Sequence, residues 1–250
     1  MPKHITSRQA MLAAALAGTL APVQAQTCMA RSSAQAATVV ELYTSEGCNS
    51  CPPADRWLSQ WKAEASVVAL AFHVDYWDQL GWADRFAQPA FTQRQSQQQA
   101  VNGTRYSYTP QIVINGIDRK DWSGVSPTAK GMNAPRAAPV QLTLQRDGER
   151  FEATVQPVAS AMRIAAYWAV TEDTHSSAVK RGENAGVTLR HDDVVRELLP
   201  VSAWQAQPGQ PTTLRFTPAT RSDAAHPRLI KLVVVDAASG RPLQALKLGC

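Results

Sequence analysis

The chain reads as an α/β domain followed by an antiparallel β-sandwich domain, and three observations carry that reading. Over 38–125, apolar runs short enough for strands alternate with helical patterns. From residue 140 to 250 the apolar residues recur at every second position, with turn dipeptides between the runs. Between these stretches, 126–139 (S-P-T-A-K-G-M-N-A-P-R-A-A-P) is rich in proline, glycine and small residues and reads as a linker.

The elements follow in order. Lys3 and Arg8 precede an Ala-rich apolar run over 10–21, and Val23-Gln24-Ala25 resembles a cleavage site, so 1–25 is expected to be a cleaved secretory signal. The run is shorter than the roughly 20 apolar residues a membrane-spanning helix needs, and no membrane span is expected. Thr27, immediately before Cys28, is a poor fit to a lipoprotein box, which favours export without a lipid anchor. Residues 26–37 form an N-terminal extension.

Thr38–Thr44, with Val39, Val40, Leu42 and Tyr43, is a strand, and 53–65 is a helix with Trp57, Leu58 and Trp61 on one side. The strand at 67–74 has so little polar interruption that both its faces should be covered. A helix over 89–101 starts with proline in its first turn and presents a Gln-rich face expected to meet solvent. Gln111–Ile114 is a strand ended by Asn115-Gly116, a strong hairpin-turn dipeptide. In the second domain, 140–146 and 151–158 flank Asp147-Gly148 as a hairpin, and 163–171, 193–201, 212–217, 229–235 and 242–248 are further strands of a sandwich.

The charge balance of +5 comes with no basic cluster, which points away from a nucleic-acid partner. Four cysteines are too few for a disulfide scaffold, so the fold must rest on its own core, as 44% apolar composition allows. The cysteines carry chemistry instead. Cys48-Asn49-Ser50-Cys51-Pro52-Pro53 lies between an expected strand and an expected helix. Amides at a helix start stabilise a thiolate, which makes Cys48 the nucleophile, and Cys51, one turn away, can resolve a mixed disulfide. Two prolines cannot sit deep in a helix, so Cys51 is expected at the N-cap and Pro52 at the first helical position. No second C-x-x-C and no spaced histidine pair accompanies them, so no metal site and no cofactor are expected.

The C-x-x-C after a strand, together with Thr109-Pro110 before Q-I-V-I-N-G at 111–116, resembles thioredoxin-like proteins, glutaredoxins among them. That resemblance implies a thioredoxin-like fold for 38–125 and a cis Thr109–Pro110 bond beside the sulfurs. Pro110, with Thr109 and Gln111, would then hold the substrate backbone. Glu41, one residue from the matching offset, would move a proton at Cys51; its other reading is a strand carboxylate in a salt bridge. Gly47 departs from the pattern, standing where thioredoxins place tryptophan. E-L-Y-T-S-E-G-C-N-S-C-P-P-A-D at 41–55, F-H-V-D-Y-W-D at 72–78, Y-T-P-Q at 108–111 and R-G-E-N-A-G-V-T-L-R-H-D-D-V-V-R-E-L at 181–198 resemble a secreted bacterial thioredoxin-like family, the domain of unknown function 1223. This likeness implies a fold and leaves the activity open.

Asp75, Tyr76, Trp77, Asp78, Trp82, Asp84 and Phe86 follow the second strand. They read either as a lid or groove in which Trp77 and Trp82 touch substrate, or as the core of an inserted loop. His73, inside an apolar strand with no metal-ligand partner nearby in sequence, reads as a hydrogen-bonded core histidine. Arg181, Glu183, Asn184, His191, Asp192, Asp193 and Arg196 read as solvated charges, with Glu183 and Arg196 as an ion pair, ahead of a catalytic His-Asp pair, which no G-x-S-x-G motif accompanies. Cys28 and Cys250 either close a terminus-linking disulfide or are incidental.

The functional expectation is a periplasmic or secreted thiol-disulfide oxidoreductase acting on a protein or small thiol or disulfide. Two rival readings stand beside it: a binding module with a structural Cys48–Cys51 bridge, and a soft-metal carrier that holds copper(I) between the two thiols.

Overall fold

The computed structural model describes residues 28–126 and 136–250, with Met1. The expected signal at 1–25 and most of the linker at 126–139 lie outside the described residues. The first part runs β1 (Met29–Arg31), β2 (Thr38–Thr44), α1 (Pro52–Ser59), β3 (Val67–His73), α2 (Pro89–Asn102), β4 (Gln111–Ile114) and β5 (Ile117–Asp118). The second runs β6 (Val140–Asp147), β7 (Arg150–Pro157), β8 (Met162–Glu172), β9 (His175–Ala178), β10 (Thr188–His191), β11 (Val194–Ala206), β12 (Thr212–Phe216), β13 (Arg228–Asp236) and β14 (Pro242–Leu248).

These strands overturn the expected fold class of an α/β thioredoxin-like domain followed by a separate sandwich. Strand accounts for 46% and helix for 13%, and the α-helices among the described residues are α1 and α2. One eight-stranded sheet, in the order β14-β13-β8-β11-β3-β2-β4-β5, takes strands from both sides of the expected linker. A four-stranded sheet, β1-β6-β7-β12, covers part of it, and β9 and β10 form a ribbon.

The local patterns are read correctly while their assembly is not, because apolar periodicity shows which face is buried and not which strand lies alongside. β2 and β3 pair in parallel from Thr38↔Val67 to Thr44↔His73, and every residue of both is buried. On one face Val40, Leu42, Ala69 and Ala71 pack under α1 with Trp57, Leu58 and Trp61. On the other, Tyr43, Leu70, Phe72 and Phe91 share one core with Tyr167 of β8, Val195 of β11 and Val233 of β13. Alternate residues of β8, Ile164, Ala166, Trp168 and Val170, face the four-stranded sheet and meet Leu142, Leu144, Phe151 and Val155. The period-two strands thus have two buried faces, one serving the sandwich-like core and one serving β2 and β3.

The seam between the two strand groups is narrow. β11 runs parallel to β3 through one pair, Val194↔Ala71, and then follows β8 antiparallel. Asp193, at φ 53°, accepts the Ala71 amide on its carbonyl at 2.9 Å. Lys231, fully buried on β13, donates to the Asp193 carboxylate and to the Ala69 carbonyl at 2.7 Å.

Helix ends follow backbone chemistry. Pro52 opens α1, Cys51 is its N-cap, and the helix ends earlier than the expected 53–65. From Gln60 to Lys62 each amide bonds three residues back, which tightens the chain and drops Trp61 into the core. Pro89 starts α2 and Gly103, at φ 65°, ends it. The expected solvent face of α2 is met only in part: Gln93 and Gln97 are exposed, whereas Gln95 and Gln98 are buried, and Gln95 donates to the Tyr108 carbonyl and to Gln111. Asn115 and Gly116, at φ 50° and 80°, make the β4–β5 turn. A disulfide joins Cys28 to Cys250.

Asp193→Asn is expected to cost about 3–5 kcal/mol, because it leaves the Lys231 ammonium buried without its counter-charge. Urea unfolding measures this directly. A loss within the roughly 0.5 kcal/mol usual for surface changes would remove the pair from any account of the seam.

Candidate functional site

The chain leaves β2 at Thr44 and makes two tight turns before α1. Cys48 N–H donates to Ser45 O, and Cys51 N–H to Cys48 O, both at 3.2 Å. Cys48 and Cys51 are disulfide-bonded, with Cα atoms 5.4 Å apart. The Cys51 carbonyl accepts from Ala54 N–H and Asp55 N–H, so the pair sits at the amide end of α1. Gly47 has a steric reason: a Cβ there would stand 3.1 Å from Trp77 Cβ. Trp77 therefore lies against the loop where a bulkier residue would not fit.

Asn49 and Ser50 are exposed, whereas Cys48 and Cys51 are both 0% exposed. Their cover comes from far along the sequence. The loop over 179–187, between β9 and β10, folds across them and buries Asn184. Asn184 Nδ2 donates to the Glu46 and Cys48 carbonyls at 2.9 and 3.0 Å, and Glu183 accepts the Asn49 amide at 3.1 Å. A Cβ on Gly182 would lie 3.4 Å from Trp82 Cβ, so this loop and the one after β3 are in close approach.

Antiparallel pairing of Gln111 with Tyr43 brings Pro110 level with Thr44, at the edge from which the cysteine loop departs. The Thr109–Pro110 bond is cis. Thr109 and Pro110 are half-buried, and Trp77 Nε1 donates to Thr109 Oγ1 at 2.8 Å, so Trp77 links this segment to Gly47. Gln111 is fully buried on Gln95 and turned away from any substrate surface. Nearby in the chain, Arg105, Tyr106 and Tyr108 before it and Lys120 after it line a cleft of about 470 Å³. Burial and the Asp118 carboxylate raise the Tyr108 hydroxyl above its ordinary value.

Beneath the cysteine loop lies a buried ionic cluster. His73 Nδ1 donates to Asp84 Oδ2 at 2.6 Å, and that carboxylate also accepts the Glu46 and Phe86 amides. His191 stands between Glu46, at 3.5 Å, and Asp55, at 3.6 Å. Trp82 Nε1 donates to Glu46 Oε2 at 2.7 Å, and Thr44 Oγ1 to Asp55 Oδ2 at 3.1 Å. The rings of His73, Phe86 and His191 stack edge to face. Burial works to lower the His191 value, but bonds and charge from Asp55 and Glu46 outweigh it and push it up to about 10. Burial likewise opposes ionisation of Glu46 and Asp84. For Glu46 the His191, Ser177 and Trp82 bonds prevail, for Asp84 its pairing with His73 and the backbone amides of Glu46 and Phe86 prevail, and both carboxyls end below the ordinary range.

The sequence matches the family model described as "Protein of unknown function (DUF1223)" over residues 39–235. The chain belongs to the DUF1223 family. Among solved structures, the crystal structure of protein AGR_C_4864 from Agrobacterium tumefaciens is 28% identical at a TM-score of 0.65, covering 86% of this chain and 95% of that one. HBP35 of Porphyromonas gingivalis is 13% identical at a TM-score of 0.66, covering 86% of this chain and 75% of that one, a likeness of fold alone. No curated protein matches.

Several residues of this DUF1223 protein lie where the sequence does not put them. Glu41 points to the face of β2 opposite α1. There it accepts from Tyr43 and Tyr167 at 2.8 and 2.7 Å and forms the expected kind of salt bridge, with Arg94. The polar stretch after Arg181 is only partly solvated: Asn184, His191 and Asp193 are buried. Glu183 and Arg196 do not pair with each other; Arg196 pairs with Glu172 at 3.2 Å. His73 is the hydrogen-bonded core histidine expected, fully buried and bonded to Asp84; what the sequence does not show is His191, 118 positions away, against its ring. Trp77 and Trp82 hold Thr109 and Glu46 by hydrogen bonds, and Phe86 is the buried core of their loop.

Asn184→Ala removes two hydrogen bonds that close the 179–187 loop over the disulfide. Each such bond is worth about 0.7–1.4 kcal/mol, so losing both is expected to quicken reduction of Cys48–Cys51 by a soluble phosphine about ten- to a hundredfold. An unchanged rate in the folded variant would show that this loop does not govern access.

Proposed function

We propose that this protein is an exported thiol-disulfide oxidoreductase whose working pair is Cys48 and Cys51. The observation that carries the reading is the position of that disulfide: three residues apart, at the amide end of α1, on the sheet edge it shares with the half-buried Thr109–Pro110 segment. So short a loop adds little to stability when closed, which suits a bond that must open and close. The Cys28–Cys250 bridge spans 222 positions and suits a structural role. Both bonds persist in an oxidising compartment, and no helix among the described residues is long and apolar enough to cross a membrane.

In the oxidising direction a substrate thiolate attacks Cys48 Sγ. The Cys48–Cys51 bond breaks, its electron pair leaves on Cys51 Sγ, and that sulfur takes up a proton. A second substrate thiolate then attacks the substrate sulfur of the mixed disulfide and displaces Cys48. The substrate has lost two electrons and the pair has gained them, with no cofactor required. Thr109 and Pro110 contact the substrate backbone in this scheme, Trp77 positions Thr109, and Gln111 and Glu41 take no part. A protein or small thiol reaches the sulfurs when the 179–187 loop opens.

Burial of both cysteines favours a second reading, a structural bridge in a binding module. Redox equilibration separates the two. Under the first reading the pair titrates between about −270 and −120 mV, and Cys51→Ala traps mixed disulfides through Cys48. Resistance to reduction down to about −300 mV, with loss of the cooperative thermal transition once reduced, would establish the structural bridge instead.

A further inference from the structure

We propose that Asp55, His73 and His191 form a binding site for one divalent transition-metal ion of borderline softness, with zinc(II) as its type. One ligand atom from each, out of α1, β3 and β10, lies within 4.8 Å of the others, and all three residues are buried. Two ligands bound to one zinc at ordinary lengths and a tetrahedral angle stand about 3.4 Å apart. His191 Nδ1 and Asp55 Oδ1 are already 3.6 Å apart.

The side chains are oriented as ligands are. An ionised carboxylate only accepts, so Asp84 fixes the proton on His73 Nδ1 and leaves His73 Nε2 with its lone pair, buried and without a hydrogen-bond partner. His191 has Glu46 beside Nε2 and Nδ1 towards Asp55, and the incoming ion takes the Nδ1 position by displacing its proton to solvent. Thr44 occupies Asp55 Oδ2 and leaves Oδ1 for the ion. Each ligand is thereby backed by a group that does not itself bind, the pattern that sets ring orientation and basicity in metal sites. Two imidazoles and a carboxylate select a borderline ion over magnesium or calcium, and the buried charge of Glu46, Asp55 and Asp84 offsets a dication. Cys48 and Cys51 are bonded to each other and contribute no thiolate.

The test uses the full chain with both disulfides closed, stripped by chelator and titrated with cobalt(II), then zinc(II). One equivalent of cobalt is expected, with visible d–d bands and no thiolate charge-transfer band. Zinc should displace it and raise the thermal midpoint. His73→Gln and Asp55→Asn should weaken binding at least about a hundredfold, and Asp84→Asn, which touches no metal, about 10–100-fold. X-ray absorption at the zinc edge of the unaltered chain should show imidazole and oxygen without sulfur, a readout that needs no variant to fold. Absence of stoichiometric uptake, sulfur around the zinc, or unchanged affinity in folded His73→Gln would each overturn the site and leave the cluster as an ion-pair network. Every arm is read with the disulfide closed, so neither outcome depends on the redox potential of Cys48–Cys51.

Discussion

A lysine buried in a strand pins the seam between two groups of strands that share one apolar core. β3 and β11 share a single residue pair, too short a contact to join two groups of strands by ladder hydrogen bonds alone. Lys231 supplies what the ladder lacks by reaching from β13 to the Ala69 carbonyl and the Asp193 carboxylate. The exchange is unforgiving, because an ammonium without its counter-charge in such a place is strongly destabilising. It also explains why Asp193 adopts a left-handed conformation: that geometry turns its carbonyl to Ala71 and its side chain to Lys231.

Everything at the site hangs from this seam. Once β11 is fixed beside β3, the β9–β10 ribbon that precedes it is carried over the ends of β2 and β3, and with it His191 and the loop that bears Asn184. The cysteine loop is then enclosed by two segments, one following β3 and one preceding β10. A reactive group on a sheet edge would ordinarily lie open to solvent, and here the second part of the chain covers it.

The sequence is most legible where chemistry is local. The bounds of β2 and β4, Cys51 as N-cap, Pro52 at the first helical position and the Asn115-Gly116 turn all follow from neighbours within a few residues. What escapes is what depends on distant partners. Nothing near Gln95 announces that its amide will be used up by Gln111, and a helix rich in glutamine looks solvated. Glu41 differs from a catalytic carboxylate only by the side of the strand it occupies, which becomes visible when Tyr167, 126 positions away, arrives to bond it. The fold class failed for the same reason: alternation in β8 and β13 is compatible with one buried face or with two, and only the second joins them to β2 and β3.

The Cys28–Cys250 bridge makes the described chain a covalent ring. Fraying, the ordinary first step by which domains lose their outer strands, has no loose end to start from at β1 or β14. A protease that cuts an exposed loop inside the ring releases no fragment and leaves one linear molecule whose halves remain tethered for re-docking. Local opening must then begin away from the two tied ends, and the segment over the buried disulfide is one place for it.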